Sequence, residues 1–120
     1  METINTVIER VKRLTPNTID ERDQAKWVIS LDNRVYNDVT GEAFPEKLPV
    51  KSWPNDGDTP LLAKAPYANI YDLYLTAMVL FTLGEYDDYN NVVSQFDQAF
   101  KEFRAKWRQD HRPKSMTLLV

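Results

Sequence analysis

Apolar residues recur at helical spacing in four stretches of this chain, with a proline-rich stretch between the second and third. Ile4, Val7, Ile8, Val11 and Leu14 follow the i, i+3, i+4, i+7 template of an amphipathic helix. Thr3 as N-cap and Pro16 beyond the end bound that first helix to residues 3–14. Asn17-Thr18 supply a cap for a second helix over residues 18–39, and Asp20, Glu21 and Asp23 suit the positive end of its dipole. Its apolar face reads Trp27, Val28, Leu31, Val35 and Val39, and Gly41 is placed to end it. Pro66 fits the first turn of a third helix over residues 67–83, whose face includes Ile70, Leu73, Tyr74, Ala77, Met78 and Phe81. Gly84 stops it in the position after a helix end.

The fourth helix, over residues 85–110, starts almost at once, which predicts a tight antiparallel hairpin with the third. Its seam is Tyr86, Tyr89, Val93, Phe96, Phe100, Phe103 and Trp107, in steps of three and four. At a rise of 1.5 Å per residue the helix is roughly 35 to 40 Å long, more than the first helix can cover. Either the second helix and the proline-rich stretch complete the packing, or the Trp107 end projects toward a partner. The predicted fold is therefore mainly α: a small four-helix domain with a helix 3/helix 4 hairpin.

Between the helical halves, Pro45, Pro49, Pro54, Pro60 and Pro66 exclude a helix, and Asn55-Asp56-Gly57-Asp58 is a turn signal. Phe44, Leu48, Val50, Trp53, Leu61 and Leu62 give this stretch more apolar side chains than a linker needs, so residues 40–66 read as an ordered loop or arm. Residues 47–53 have room for one or two short strands. After Pro113 the chain closes on Ser115-Met116-Thr117-Leu118-Leu119-Val120, an extended apolar tail. The expected organisation is one helical domain over residues 1–114, arm included, and a tail over residues 115–120.

Composition narrows the function classes. A chain of 120 residues with 42% hydrophobic content closes one core, and a net charge of -3 is not the strong basic excess of a dedicated nucleic-acid binder. With no cysteine there is no disulfide, thiolate zinc site or cysteine nucleophile, which fits an intracellular origin. The first residues lack the pattern of a secretion signal, and the longest apolar run, residues 77–81, is too short to cross a bilayer. No membrane contact is expected.

The single histidine, His111, sits at a basic helix end, so neither a histidine metal set nor a histidine-based triad can be assembled from this chain alone. Asn55-Asp56-Gly57-Asp58 fails as a calcium loop because Ser52, Pro54 and Ala63 would hold its first, third and twelfth positions. Glu85, Asp87 and Asp88 are accounted for by the dipole of the fourth helix. Gly41, Gly57 and Gly84 are too dispersed for a phosphate loop. The chain is expected to be no enzyme and to carry no cofactor.

Residues 101–120 hold six Lys or Arg against Glu102 and Asp110, a local charge of +4 in an acidic chain. Two readings stand: a solvated helix end that complements its dipole, or a contact for an acidic partner or passing DNA backbone.

Two stretches carry a resemblance. Leu61-Leu62-Ala63-Lys64-Ala65-Pro66-Tyr67 runs into Ile70-Tyr71-Asp72-Leu73-Tyr74, and Gly84-Glu85-Tyr86-Asp87-Asp88-Tyr89-Asn90-Asn91 follows. With Phe96, Ala99-Phe100 and His111-Arg112-Pro113-Lys114, they resemble small structural proteins of siphophages and prophages, the family of head-tail connector, adaptor or head-completion proteins. The likeness covers roughly residues 3–114 and is weakest over residues 40–60 and the last six.

It implies a helical subunit of a homo-oligomeric, dodecameric ring beneath the portal, bridging portal protein to the next connector, stopper or tail protein. The location implied is the virion head-tail junction, after synthesis in the host bacterial cytoplasm. On this reading the expected partner-binding residues are Trp53 on the arm, Arg104, Arg108, Arg112 and Lys114 on the basic helix end, and Met116, Leu118, Leu119 and Val120 on the tail. The basic group would meet an acidic portal surface or non-specifically line the DNA passage. The rival reading is a soluble protein-interaction or regulatory module of a prophage. A monodisperse low-order oligomer without affinity for portal would favour it.

Overall fold

The computed structural model describes residues 1–41 and 51–111. Of the short strands expected over residues 47–53, residues 51–53 are described and form none; residues 47–50, the side chains of Phe44, Leu48 and Val50, and the tail with Arg112 and Lys114 lie outside the described residues. Among the described residues there are four α-helices: α1 (Ile4–Leu14), α2 (Glu21–Val35), α3 (Asn69–Thr82) and α4 (Tyr86–Asp110). No strand occurs among the described residues. A single antiparallel bridge joins Thr3 to Pro60.

Helix α1 starts as its sequence predicts. The Thr3 side chain accepts from the Thr6 amide, and the Thr6 hydroxyl accepts from the Thr3 amide, a reciprocal capping box. Ile4, Val7, Ile8 and Val11 are buried, but Leu14 is 73% exposed, because the core-facing stripe ends one turn earlier. Helix α2 is capped differently from expectation. The carboxylate of Asp20, not Asn17 or Thr18, accepts the Arg22 amide at 2.7 Å. Asn17 shapes the preceding turn instead: its oxygen accepts the Ile19 amide at 3.0 Å and its amide donates to the Thr15 carbonyl.

Beyond Val35 the helical path continues as a π-helical turn over Tyr36–Thr40. Gly41 closes it with right-handed backbone, its amide bonded to the Tyr36 carbonyl. Glycine is required there by proximity, since a Cβ would stand 2.6 Å from the Tyr36 carbonyl oxygen. Gly84 is the opposite case. It adopts φ 78, and the Gly84 and Glu85 amides bond back to the carbonyls of Phe81 and Leu80, the paired closure of a Schellman motif.

Pro66 does not open α3. It sits in a turn closed by the Tyr67 amide on the Lys64 carbonyl, and the helix begins at Asn69 because the preceding residues are tied to α2 and Tyr71 through Leu62 and Ala63. Helix α3 is the central element and packs against α1, α2 and α4. It is accordingly apolar on more than one face: Ile70, Tyr71, Leu75, Ala77 and Val79 are buried, a wider set than the single stripe expected.

The α3/α4 hairpin is the most extensive helix pairing. Phe96, Phe100 and Phe103 are buried, with Phe96 against Tyr74 at 5.4 Å between ring centroids and Phe103 against Tyr67 at 5.9 Å. The Arg34 guanidinium lies 4.7 Å from the Phe100 centroid, closing the outer side. The ends of the seam are the reverse of a projecting Trp107: Trp107 packs on the core while Tyr86 is 57% exposed. Truncating Phe96 or Phe100 to Ala is expected to cost about 3 to 5 kcal/mol, measured by chemical denaturation. Wild-type unfolding in both variants would show that the seam does not carry the core.

Candidate interaction surfaces

The surfaces available for contact are set by how residues 51–66 attach to the helices. The centre of that attachment is Asp32 on α2, which is 3% exposed. One carboxylate oxygen accepts the Tyr71 hydroxyl at 2.6 Å and the Leu62 amide at 3.0 Å; the other receives the Lys51 ammonium at 2.9 Å. The Tyr71 oxygen in turn accepts the Ala63 amide at 2.9 Å. Burial, followed by the neighbouring Asp32 charge, pushes the Tyr71 phenol well above its ordinary range, so it remains a neutral donor.

A second attachment caps α1. The Asn5 amide, one of the orphan donors of the first turn, donates to the Gly57 carbonyl at 3.0 Å. The Asn5 side chain accepts from the Trp53 indole N–H at 2.9 Å and donates to Asp58 at 3.0 Å. A Cβ on Gly57 would lie 2.5 Å from Asn5 Nδ2, so this approach needs glycine. The Leu61 amide donates to the Glu2 carbonyl at 2.9 Å. Arg10 on α1 pairs with Asp72 on α3 through two bonds of 2.7 and 3.0 Å and also meets Glu2. These hydrogen bonds, Asp72 first, raise the Arg10 pKa, whereas burial raises the Asp72 carboxyl and Arg10 opposes that rise. The bidentate contact with the guanidinium favours the charged form of the Asp72 carboxylate.

Trp53, expected to meet a partner, is thus half-buried and anchored within its own chain. Its remaining surface lines a groove of about 420 Å³ with Arg22, Ala25, Lys26, Ile29, Asn33 and Lys51. The basic end of α4 is also partly engaged. Arg104 lies over the Phe100 ring at 5.8 Å, and Arg108 donates to the Asp38 carbonyl at 3.2 Å. Trp107 stacks on His111 at 3.8 Å, with His111 Nδ1–H donating to the Trp107 carbonyl. These rings, with Phe103, Tyr67, Leu61 and Leu62, border a larger groove of about 900 Å³. The buried Thr40 hydroxyl on its wall has no hydrogen-bond partner among the described residues.

Sequence reading passed over Asp32, because a lone carboxylate in an amphipathic helix reads as a surface residue. Its position one residue after Leu31, between Val28 and Val35, was the available signal. Among the described residues, no group of three or more His, Asp or Glu is placed to hold a metal ion, and no helix is long and apolar enough to cross a membrane. No family model, curated protein or solved structure matches the chain.

The clamp on residues 51–66 is directly testable. Tyr71→Phe removes the hydroxyl that joins Asp32 to the Ala63 amide and is expected to cost about 1 to 3 kcal/mol. Asp32→Ala leaves Lys51 and two buried donors without their acceptor and is expected to cost more, about 3 to 5 kcal/mol. Urea denaturation of the two variants checks the ranking, and equal stability of Asp32→Ala and wild type would remove Asp32 from its central position.

Proposed function

We propose that this chain is a structural adaptor subunit of the head-tail junction of a tailed bacteriophage, one copy in a ring that bridges portal protein to the next connector or tail component. The observation that carries the reading is where the family-like residues fall. Leu61 to Tyr67 form the segment clamped through Leu62 and Ala63 to Asp32 and Tyr71. Ile70 to Tyr74 form the first half of the central helix, and Gly84 to Asn91 form the hairpin turn and the start of α4. The first two stretches therefore build joints of the fold, and in the third Gly84 makes the turn while Glu85 to Asn91, Tyr89 apart, are exposed.

In such a ring each copy meets two neighbours through unlike surfaces. The free side of Trp53 is available for one neighbour, since Trp is a common interface anchor. The basic end of α4, with Arg104 and Arg108 leading to Arg112 and Lys114, would face an acidic portal surface or the DNA passage. The tail residues Met116, Leu118, Leu119 and Val120 would add apolar contact on another component, as a short strand on a sheet edge is able to do.

Electron microscopy of the purified chain with and without portal protein tests the proposal: rings seated on portal are expected, and a small oligomer that ignores portal would refute it. Deleting residues 115–120 is expected to leave the melting temperature nearly unchanged and to impair assembly with portal or the next connector. Charge reversal at Arg104 and Arg108 is expected chiefly to change the salt dependence of that assembly. Unfolding of the isolated chain on tail deletion would assign the tail to the domain's own core.

A further inference from the structure

The α3/α4 turn presents an apolar surface that the fold itself leaves open. Phe81 is 50% exposed, Leu83 47% and Tyr86 57%, although the predicted faces of α3 and α4 place Phe81 and Tyr86 in the core. The rings form a compact cluster, with Phe81 5.6 Å from Tyr86 and 5.1 Å from Tyr89 between centroids. Glu85, Asp87 and Asp88 flank Tyr86 in the sequence and are exposed. The dipole of α4 accounts for acidic residues there, but it does not account for three large apolar side chains standing in water.

A surface of opposite character lies on α2. The groove beside Trp53 has Ala25, Ile29 and the indole as its apolar part, and among the described residues its charged lining is Arg22, Lys26 and Lys51, with no carboxylate. Lys51 is committed to Asp32. Arg22 and Lys26, one turn apart on α2, are exposed, and none of the ion pairs among the described residues engages them or Glu85, Asp87 or Asp88. Asp23 is exposed on α2 but does not line the groove. No residue of the hairpin tip lines the groove either, so the two surfaces do not satisfy one another within one chain.

We propose that the acidic aromatic tip of one copy, centred on Phe81, Leu83 and Tyr86, docks in the Trp53 groove of a second copy, with Glu85, Asp87 and Asp88 facing Arg22 and Lys26. Both the apolar pairing and the charge complementarity run in this direction. Because tip and groove are unlike surfaces of the same chain, a docked pair keeps one free tip and one free groove. The contact therefore propagates, into a closed ring where the rotation closes. This rests on the reading that copies assemble into a ring, and it names the surface on the neighbour that the Trp53 side meets.

The test uses the full chain and sedimentation velocity over a concentration series. Arg22→Glu/Lys26→Glu and Asp87→Lys/Asp88→Lys are each expected to weaken self-association by about tenfold or more with the fold retained, since all four side chains are exposed; the tip variant also lowers the melting temperature modestly, because two lysines oppose the α4 dipole. An equimolar mixture of the two variants pairs native tip with native groove and reversed tip with reversed groove, so association is expected to return. Wild-type association is expected to fall as salt rises. The cysteine-free sequence allows a direct check: Ser30→Cys/Glu85→Cys, oxidised, is expected to give a ladder of cross-linked multimers, whereas either substitution alone stops at dimer.

A wild-type chain that stays monomeric overturns the pairing, as do reversed variants that associate like wild type or fail to complement each other. Rings that form on portal unaffected by either reversal sink the pairing and leave the adaptor reading standing. Self-association through this pair in a chain that ignores portal supports the pairing and sinks the adaptor reading.

Discussion

A carboxylate at the centre of an apolar domain is stable only if its charge and lone pairs are answered, and Asp32 is answered from two parts of the chain at once. Lys51 supplies the countercharge, the Leu62 amide and the Tyr71 hydroxyl supply hydrogen bonds, and Tyr71 passes the connection to the Ala63 amide. Removing any one of these leaves another buried polar group without a partner, so the set stands or falls together. Through it, the second helix, the third helix and the segment between them are held in one arrangement. Residues 51–66 have no ladder or helix of their own to satisfy their backbone, and this clamp, with the Asn5 contacts to Gly57 and Trp53, does it instead.

Once that segment is fixed, the remaining surfaces follow. It covers the Trp107 end of α4, where Tyr67 meets Phe103 and the large groove opens beside His111. It cannot also reach the Tyr86 end, because α4 runs 25 residues and the covering elements are shorter. The bare end of the hairpin is thus a consequence of length, and its aromatic residues are left to water or to another molecule. The same clamp holds Trp53 beside α2 and so creates the cationic groove there. Charge is segregated as a result, with carboxylates around the hairpin tip and cations around the groove and along the C-terminal part of α4. An acidic chain with such a distribution is suited to ordered contact between unlike faces.

The amino-acid sequence determined the helices. Periodicity located all four, and the hairpin at Gly84 was legible because a left-handed residue between two apolar periodic runs has few other uses. The N-cap at Thr3 and the buried Phe96, Phe100 and Phe103 were legible for the same reason: they depend on neighbours three or four positions away. Such local rules do not reach what depends on distant contact. That Pro66 precedes α3 instead of opening it, and that Leu14, Phe81 and Tyr86 are exposed, were decided by which elements lie alongside in space. So was the burial of Asp32, whose partners stand 19 to 39 positions away in the chain. Only the tertiary structure brings those partners together, because a single polar residue within an apolar stripe has the same local pattern whether water or a folded loop stands opposite it.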